Sequence, residues 1–268
     1  MKISIIFGIF LYIFPFNFNK KNLLFPQCNI NCYSRKNKIA NEIDLLNIIS
    51  LINNKNFKIY YKFNYVTQLP VSNKSNEIFA LLTEKERYFF SLILTKCKKY
   101  LEFGMGGSTL LAYMTSNIKK IISVEHDINW INKIRNFKNI KNDEGKRIIL
   151  EHINIGKTLN NVYPYNMALN KDFFKYSKQI FKKYVNDYDL VFIDGRFRVA
   201  CALQVILNCK LDIKILIHDF NYRPYYHILY KYLDMIYSID TLALFSIKEE
   251  IDLEEIKKDY NIYKNNPE

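Results

Sequence analysis

Short apolar runs alternate with helical segments from about residue 100 onward, and this alternation is the strongest restriction on the fold. Strand-like runs are found at 100–103, 120–124, 147–153, 189–193, 213–218 and 241–247, with helices expected near 107–117, 127–138, 171–185, 197–208 and 224–235. Strands this short, separated by helices, predict an α/β domain with a parallel sheet. In such sheets ligands bind beyond the carboxyl ends of the strands.

The whole sequence divides into four segments. Residues 1–40 resemble a targeting leader, 41–82 form an N-terminal helical extension, 83–247 form the α/β domain, and 248–268 form a charged C-terminal tail or frayed helix. Thr83 and Glu86 stand three apart before an apolar run, which is the pattern of a capping box. A helix is therefore expected from about 84 to 97.

Residues 3–18 are almost uncharged and follow Lys2. They are short for a membrane-spanning helix, which needs about 20 residues, and Pro15 interrupts them. They suit the apolar region of a signal peptide, and the basic, acid-free stretch that follows has the composition of a transit peptide. We expect entry into the secretory route and delivery to a secondary plastid. The alternative is a hydrophobic anchor, in which case the membrane is contacted only through an uncleaved leader.

The net charge of +13 suggests a nucleic-acid partner at first sight. Six basic residues and no acidic residue lie in the first 40 positions, so the rest of the chain carries +7. Lysine is also among the residue types with A/T-rich codons that dominate the sequence, which is typical of an AT-rich genome. The charge therefore does not favour a nucleic-acid partner, although it does not exclude one.

Three of the seven glycines lie between positions 104 and 107, directly after the first strand. Glycine lets the backbone approach a ligand closely, and the helix start beside it offers free N–H groups. A dinucleotide-binding fingerprint would need a further glycine at position 109, where the chain has Thr109. A plain tight turn is the alternative interpretation.

The second strand ends in Glu125, His126 and Asp127. A carboxylate at this place can accept hydrogen bonds from both hydroxyls of a ribose, so Glu125 is a binding candidate. Asp127 is expected to cap the next helix. His126 is compatible with a ligand pocket or with the surface.

Acidic residues also follow the fourth and fifth strands. Asp194 ends one apolar run, and His218 and Asp219 end the next, so all three are expected in one cleft. They suit a proton acceptor or an oxygen-rich cation site. Arg196 and Arg198 are candidates for binding an anionic acceptor, or form a solvated helix start.

The blocks YLEFGMGGST, SVEHD, DLVFIDGRFR and ILIHDF together resemble a bacterial-type family of class I S-adenosylmethionine-dependent methyltransferases with an FIDGR…HD signature. The resemblance implies a Rossmann-like, doubly wound, mostly parallel sheet. It assigns cofactor binding to Glu102, Gly104, Gly106, Gly107, Ser108 and Glu125. It further implies that Asp194, His218 and Asp219 are catalytic, with Asp194 and Asp219 holding a divalent metal such as Mg²⁺.

The expected activity is methyl transfer to an oxygen of a small molecule. The turn Asp194-Gly195-Arg196-Phe197 lacks the Pro-Pro-aromatic sequence of enzymes that methylate base amino groups. Two alternatives stay open, a non-catalytic interaction or anchoring protein with the same fold and an RNA methyltransferase. Acceptor recognition is expected in the connection 156–187, which does not identify the substrate.

Overall fold

The computed structural model describes residues 78, 80–156, 158–159, 163–164 and 172–268. The helices are α1 (Glu84–Leu94), α2 (Gly107–Met114), α3 (Ile128–Arg135), α4 (Lys138–Asp143), α5 (Phe174–Lys183), α6 (Arg198–Asn208) and α7 (Leu253–Tyr263). The strands are β1 (Lys99–Phe103), β2 (Lys120–Glu125), β3 (Ile148–His152), β4 (Thr158–Leu159), β5 (Tyr163–Pro164), β6 (Leu190–Ile193), β7 (Lys214–Ile217), β8 (Leu233–Ile239) and β9 (Leu242–Ile247). The predicted leader and nearly all of the predicted extension lie outside the described residues.

Seven strands form one sheet in the order β3-β2-β1-β6-β7-β9-β8. The first five are parallel, β9 runs antiparallel to β7, and β8 runs antiparallel to β9. The chain moves outward from β1 to β3 and then returns to β6 on the other side of β1. This reversal is the switch point of a doubly wound sheet. The predicted Rossmann-like, mostly parallel architecture is confirmed.

Both faces of the sheet are covered, which explains why its strands are apolar throughout. Successive side chains of a strand point to opposite faces. In β1, Tyr100 packs in the core beneath α1, α2 and α3, whereas Leu101 packs in the core beneath α5, α6 and α7. The central strands are therefore fixed from both sides, and their carboxyl ends form a rigid edge.

The predicted capping box at the start of α1 is present. Thr83 Oγ1 accepts a hydrogen bond from Glu86 N at 3.2 Å, and Thr83 N donates to Glu86 Oε2 at 2.8 Å. The predicted cap of α3 is also present, because Asp127 Oδ1 accepts from Asn129 N at 2.8 Å.

The helix predicted near 224–235 is wrong in type and in its end. Two 3₁₀ segments cover Phe220–Tyr222 and Pro224–Lys231, and β8 begins at Leu233. The run from Leu233 to Ile239 is rich in β-branched and aromatic residues and pairs with β9, so tertiary pairing decides its conformation. The hairpin turns at Asp240, which has a positive φ of 49°.

Residues 248–268 contain a packed helix instead of a tail. Asp252 Oδ1 caps α7 by accepting from Glu254 N at 2.8 Å. Ile256 and Tyr260, four residues apart on one face, are buried in the core shared with α6. Among the described residues, no helix is long and apolar enough to cross a membrane.

Candidate active site

Two glycines bring the ends of β1 and β6 into direct contact. Gly104 has a φ of +98°, and a Cβ atom added there would lie 2.5 Å from Gly195 N. A Cβ atom added at Gly195 would overlap the Tyr176 hydroxyl and lie 2.9 Å from Gly104 N. Both positions therefore require glycine because of the neighbouring backbone. This contact explains Gly104 of the glycine cluster, whereas a Cβ atom added at Gly106 would meet only the Trp130 indole nitrogen at 3.8 Å.

Glu102 lies beneath the loop formed by residues 104–108. Its carboxylate is fully buried and accepts hydrogen bonds from four hydroxyls, those of Tyr100, Ser108, Thr109 and Ser123. Burial raises its pKa to about 7, although the four hydrogen bonds act in the opposite direction. The sequence assigns Glu102 to cofactor binding, whereas the structure places its side chain below the loop, where it fixes Ser108 and Thr109 at the start of α2.

Thr109 stands where a dinucleotide fingerprint would have glycine. Besides its bond to Glu102, its Oγ1 accepts a hydrogen bond from Gly106 N at 2.9 Å. Trp130 of α3 donates from its indole nitrogen to the carbonyl of Met105. The loop is thus held from below by Glu102 and from the side by Trp130, while residues 104–108 line a cleft.

Glu125 lies at the end of β2 and is 7% exposed, in the wall of the same cleft. Its Oε2 accepts from Met105 N at 3.2 Å, and its Oε1 accepts from Asp127 N at 3.0 Å. This carboxylate joins the glycine loop to the β2 end. Oε2 retains a lone pair for a further donor.

His126 also lines the cleft, and its side chain is 9% exposed. Its Nδ1 lies 2.6 Å from Glu125 Oε1 at an angle that forms no hydrogen bond, and Nε2 has no hydrogen-bond partner among the described residues. Buried polar atoms are nearly always paired. Nδ1 is held by this close approach to the Glu125 carboxylate, and neither ring nitrogen is exposed to the cleft.

The structure brings Asp194, His218 and Asp219 together, as the sequence predicts. His218 Nδ1 lies 2.8 Å from Asp194 Oδ1 and 3.9 Å from Asp219 Oδ1. Burial would lower the pKa of His218, but its hydrogen bond to Asp194 and the charges of both carboxylates raise it overall. Of the three residues, Asp194 lines the cleft, and His218 and Asp219 are not among its lining residues.

Arg198 and Glu86 complete this cluster. Arg198 is 4% exposed, and its guanidinium lies between Asp194 and Asp219. Arg198 is therefore not available to an anionic acceptor, contrary to the sequence prediction. Arg196, the other candidate, does line the cleft. Glu86 Oε2 lies 3.5 Å from His218 Nε2. Its capping-box pattern predicts the helix start but gives no signal of this second contact.

The cleft itself has a volume of about 440 Å³. Its lining residues are 80–82, 104–108, 125–127 and 194–196, with Asn129, Trp130 and Lys133. They follow the carboxyl ends of β1, β2 and β6, at the switch point of the sheet. Both the position and the size are typical of small-molecule sites in open α/β sheets.

Comparison of the sequence with family models and with curated proteins finds no match. Among solved structures, the fold is similar to that of a methyltransferase-like protein from Silicibacter pomeroyi, with a TM-score of 0.61 and 21% identity over 71% of this chain and 99% of that chain. The alignment with an O-methyltransferase from Bacillus cereus in complex with SAH covers 77% of this chain and 91% of that chain, with a TM-score of 0.44 and 12% identity. The first likeness shows a shared fold.

Proposed function

We propose that the protein binds S-adenosylmethionine in this cleft and transfers its methyl group to an acceptor beside Asp194. One observation carries the proposal. The glycine loop 104–108 and the carboxylate of Glu125 face one cleft at the switch point of a doubly wound sheet. The fold shared with the methyltransferase-like protein agrees with this assignment.

The residues of the cleft fit such a cofactor. His126 and Trp130 line the cleft beside Glu125, so the wall offers aromatic surface to an adenosine group. Glu125 would accept from ribose hydroxyls, and the backbone of 104–108 would contact the methionine part. Tying Thr109 to Glu102 and Gly106 gives the loop a shape that does not need the third glycine of a dinucleotide site. When bound, the cofactor supplies a methyl group on a positively charged sulfur.

The proposed acceptor is an oxygen of a small molecule. Asp194 is the acid of the cluster that lines the cleft, so its carboxylate is placed to accept the proton of an acceptor hydroxyl. His218 donates to Asp194 Oδ1 and is itself held near Glu86, which orients Asp194. Lys133 and Arg196 also line the cleft and favour an acceptor with negative charge. No metal-dependent step is proposed, because Arg198 already bridges the carboxylates.

Thermal denaturation of the full chain with S-adenosylhomocysteine tests the proposal. A ligand at a hundred times its Kd stabilises the folded state by about 2.7 kcal/mol, so the wild type should melt at a clearly higher temperature. Glu125→Gln should reduce this shift, whereas Glu250→Gln, at an exposed position, should retain it. Each variant is compared with its own ligand-free melt, which separates binding from stability.

Absence of any shift in the wild type would contradict the proposal. A shift without methyl transfer would instead favour the non-catalytic alternative. Transfer is measured with labelled cofactor and cell extract separated into small-molecule, RNA and protein fractions. Label in the RNA fraction would replace the proposed acceptor with RNA.

A further inference from the structure

The cluster of Asp194, His218 and Asp219 has the appearance of a metal site. One ligand atom from each residue can be chosen so that all three lie within 4.8 Å of one another. Carboxylate oxygens and imidazole nitrogens are common metal ligands. The fit of a metal depends on whether these atoms are available to it.

Arg198 occupies the position between the two carboxylates. Its Nη2 lies 3.2 Å from Asp194 Oδ1, and its Nη1 lies 3.1 Å from Asp219 Oδ2. The two acids come from the ends of neighbouring strands β6 and β7, and Arg198 opens the helix that follows β6. The guanidinium therefore fastens two strand ends together as a bridging cation would.

The rest of the guanidinium is also engaged. Nε donates to the carbonyl of Gly195 at 3.0 Å, and Nη1 donates to the carbonyl of His218 at 2.5 Å. All three nitrogens thus have acceptors, and the side chain is 95% buried. Guanidinium keeps its proton under all ordinary conditions, so the positive charge is permanent.

The carboxylates of Asp194 and Asp219 already face donors with positive charge. Arg223 Nη2 lies 3.4 Å from Asp219 Oδ2, so two guanidiniums face the two carboxylates. His218 Nδ1 donates a hydrogen bond to Asp194 Oδ1, because a carboxylate can only accept. A divalent ion placed between the two carboxylates would meet the fixed positive charge of Arg198 within a few ångströms. The residues present therefore do not fit a divalent metal, contrary to the sequence prediction.

We propose that Arg198 is the resident cation of this cluster, and that its charge keeps Asp194, His218 and Asp219 from forming a divalent-metal site. Removing that charge converts the cluster into such a site. The inference concerns metal binding and stands whether or not the protein transfers methyl groups.

Titration of the full chain with Mn²⁺, followed by electron paramagnetic resonance, tests the inference. The wild type should show no saturable Mn²⁺ binding at the cluster. Asp219→Asn should therefore leave the Mn²⁺ binding of the wild type unchanged. Arg198→Ala should bind Mn²⁺ with a Kd lower by roughly tenfold or more, because the positive charge between the two carboxylates is gone. Arg198→Lys keeps the charge and is the matched control, which should resemble the wild type.

The double variant Arg198→Ala, Asp219→Asn should lose the acquired binding, which locates it at the cluster. Circular dichroism establishes that each variant is folded, and Arg198→Gln replaces the alanine variant if that one is not. Saturable Mn²⁺ binding by the wild type that Asp219→Asn abolishes would overturn the inference. Folded Arg198→Ala and Arg198→Gln proteins that bind no more Mn²⁺ than the wild type would overturn it equally.

Discussion

Replacing Glu102 by Gln should change how the stability of the protein depends on pH. The carboxyl is fully buried beneath the glycine loop and is surrounded by the hydroxyls of Tyr100, Ser108, Thr109 and Ser123. Burial raises its pKa from 4.5 to about 7, against the effect of the four hydrogen bonds. A glutamine occupies nearly the same volume and cannot titrate.

The sign follows from proton binding in the two states. Between pH 4.5 and about 7 the folded protein holds the Glu102 proton and the unfolded chain releases it. The free energy of unfolding therefore falls as the pH rises through this window. A pKa higher by about 2.5 corresponds to about 3 kcal/mol, which is fully lost above the folded pKa. Glu102→Gln lacks this loss, so its stability relative to the wild type should rise by about the same amount.

Urea unfolding of the full chain at several pH values from 4.5 to 8 measures the effect. The difference between variant and wild type is the quantity to plot, because the titrations of all other groups cancel in it. Glu250→Gln removes an exposed carboxylate and should give a difference that stays nearly constant. A Glu102→Gln difference that is equally flat would refute the reasoning, since it would mean that the buried carboxyl ionises as in the unfolded chain.

Three further results are expected. Gly195→Ala should abolish the thermal shift with S-adenosylhomocysteine, because its Cβ overlaps the Tyr176 hydroxyl and approaches Gly104 N. Adding Tyr176→Phe should restore the shift in part. A full shift in Gly195→Ala alone would contradict this prediction. Ile256→Ala should lower the free energy of unfolding, measured by urea denaturation, by about 2–5 kcal/mol because the side chain is fully buried. Ile262→Ala, at an exposed position of the same helix, should change it little. Equal effects would mean that α7 is not packed. A reporter fused to residues 1–40 should enter the secretory route by microscopy, and a cytosolic reporter would exclude that expectation.

The parallel strands could be predicted because each is encoded locally. Their apolar runs are bounded by helix signals such as the caps at Thr83 and Asp127, and the observed strands begin and end close to the predicted residues. The edge hairpin could not be predicted in the same way. β8 owes its conformation to pairing with β9, and the helix predicted near 224–235 runs into its first three residues.

The position of the candidate site could be predicted from local sequence, whereas the directions of its side chains could not. Its position follows from strand ends and a glycine loop, which are local, and Gly104, Glu125 and Asp194 line one cleft. The direction in which a side chain points depends on what surrounds it. Arg198 turns inward because two strand ends present acceptors to it.

Glu86 makes contacts that its sequence pattern does not predict. Its capping box is complete within three residues, and that local role explains its presence fully. The same carboxylate also accepts hydrogen bonds from the backbone and hydroxyl of Thr241, both at 2.7 Å, and lies 3.5 Å from His218 Nε2. One side chain therefore ties the first helix to the edge hairpin and to the acidic cluster. A motif that is satisfied locally can still support the site, and only the fold reveals it.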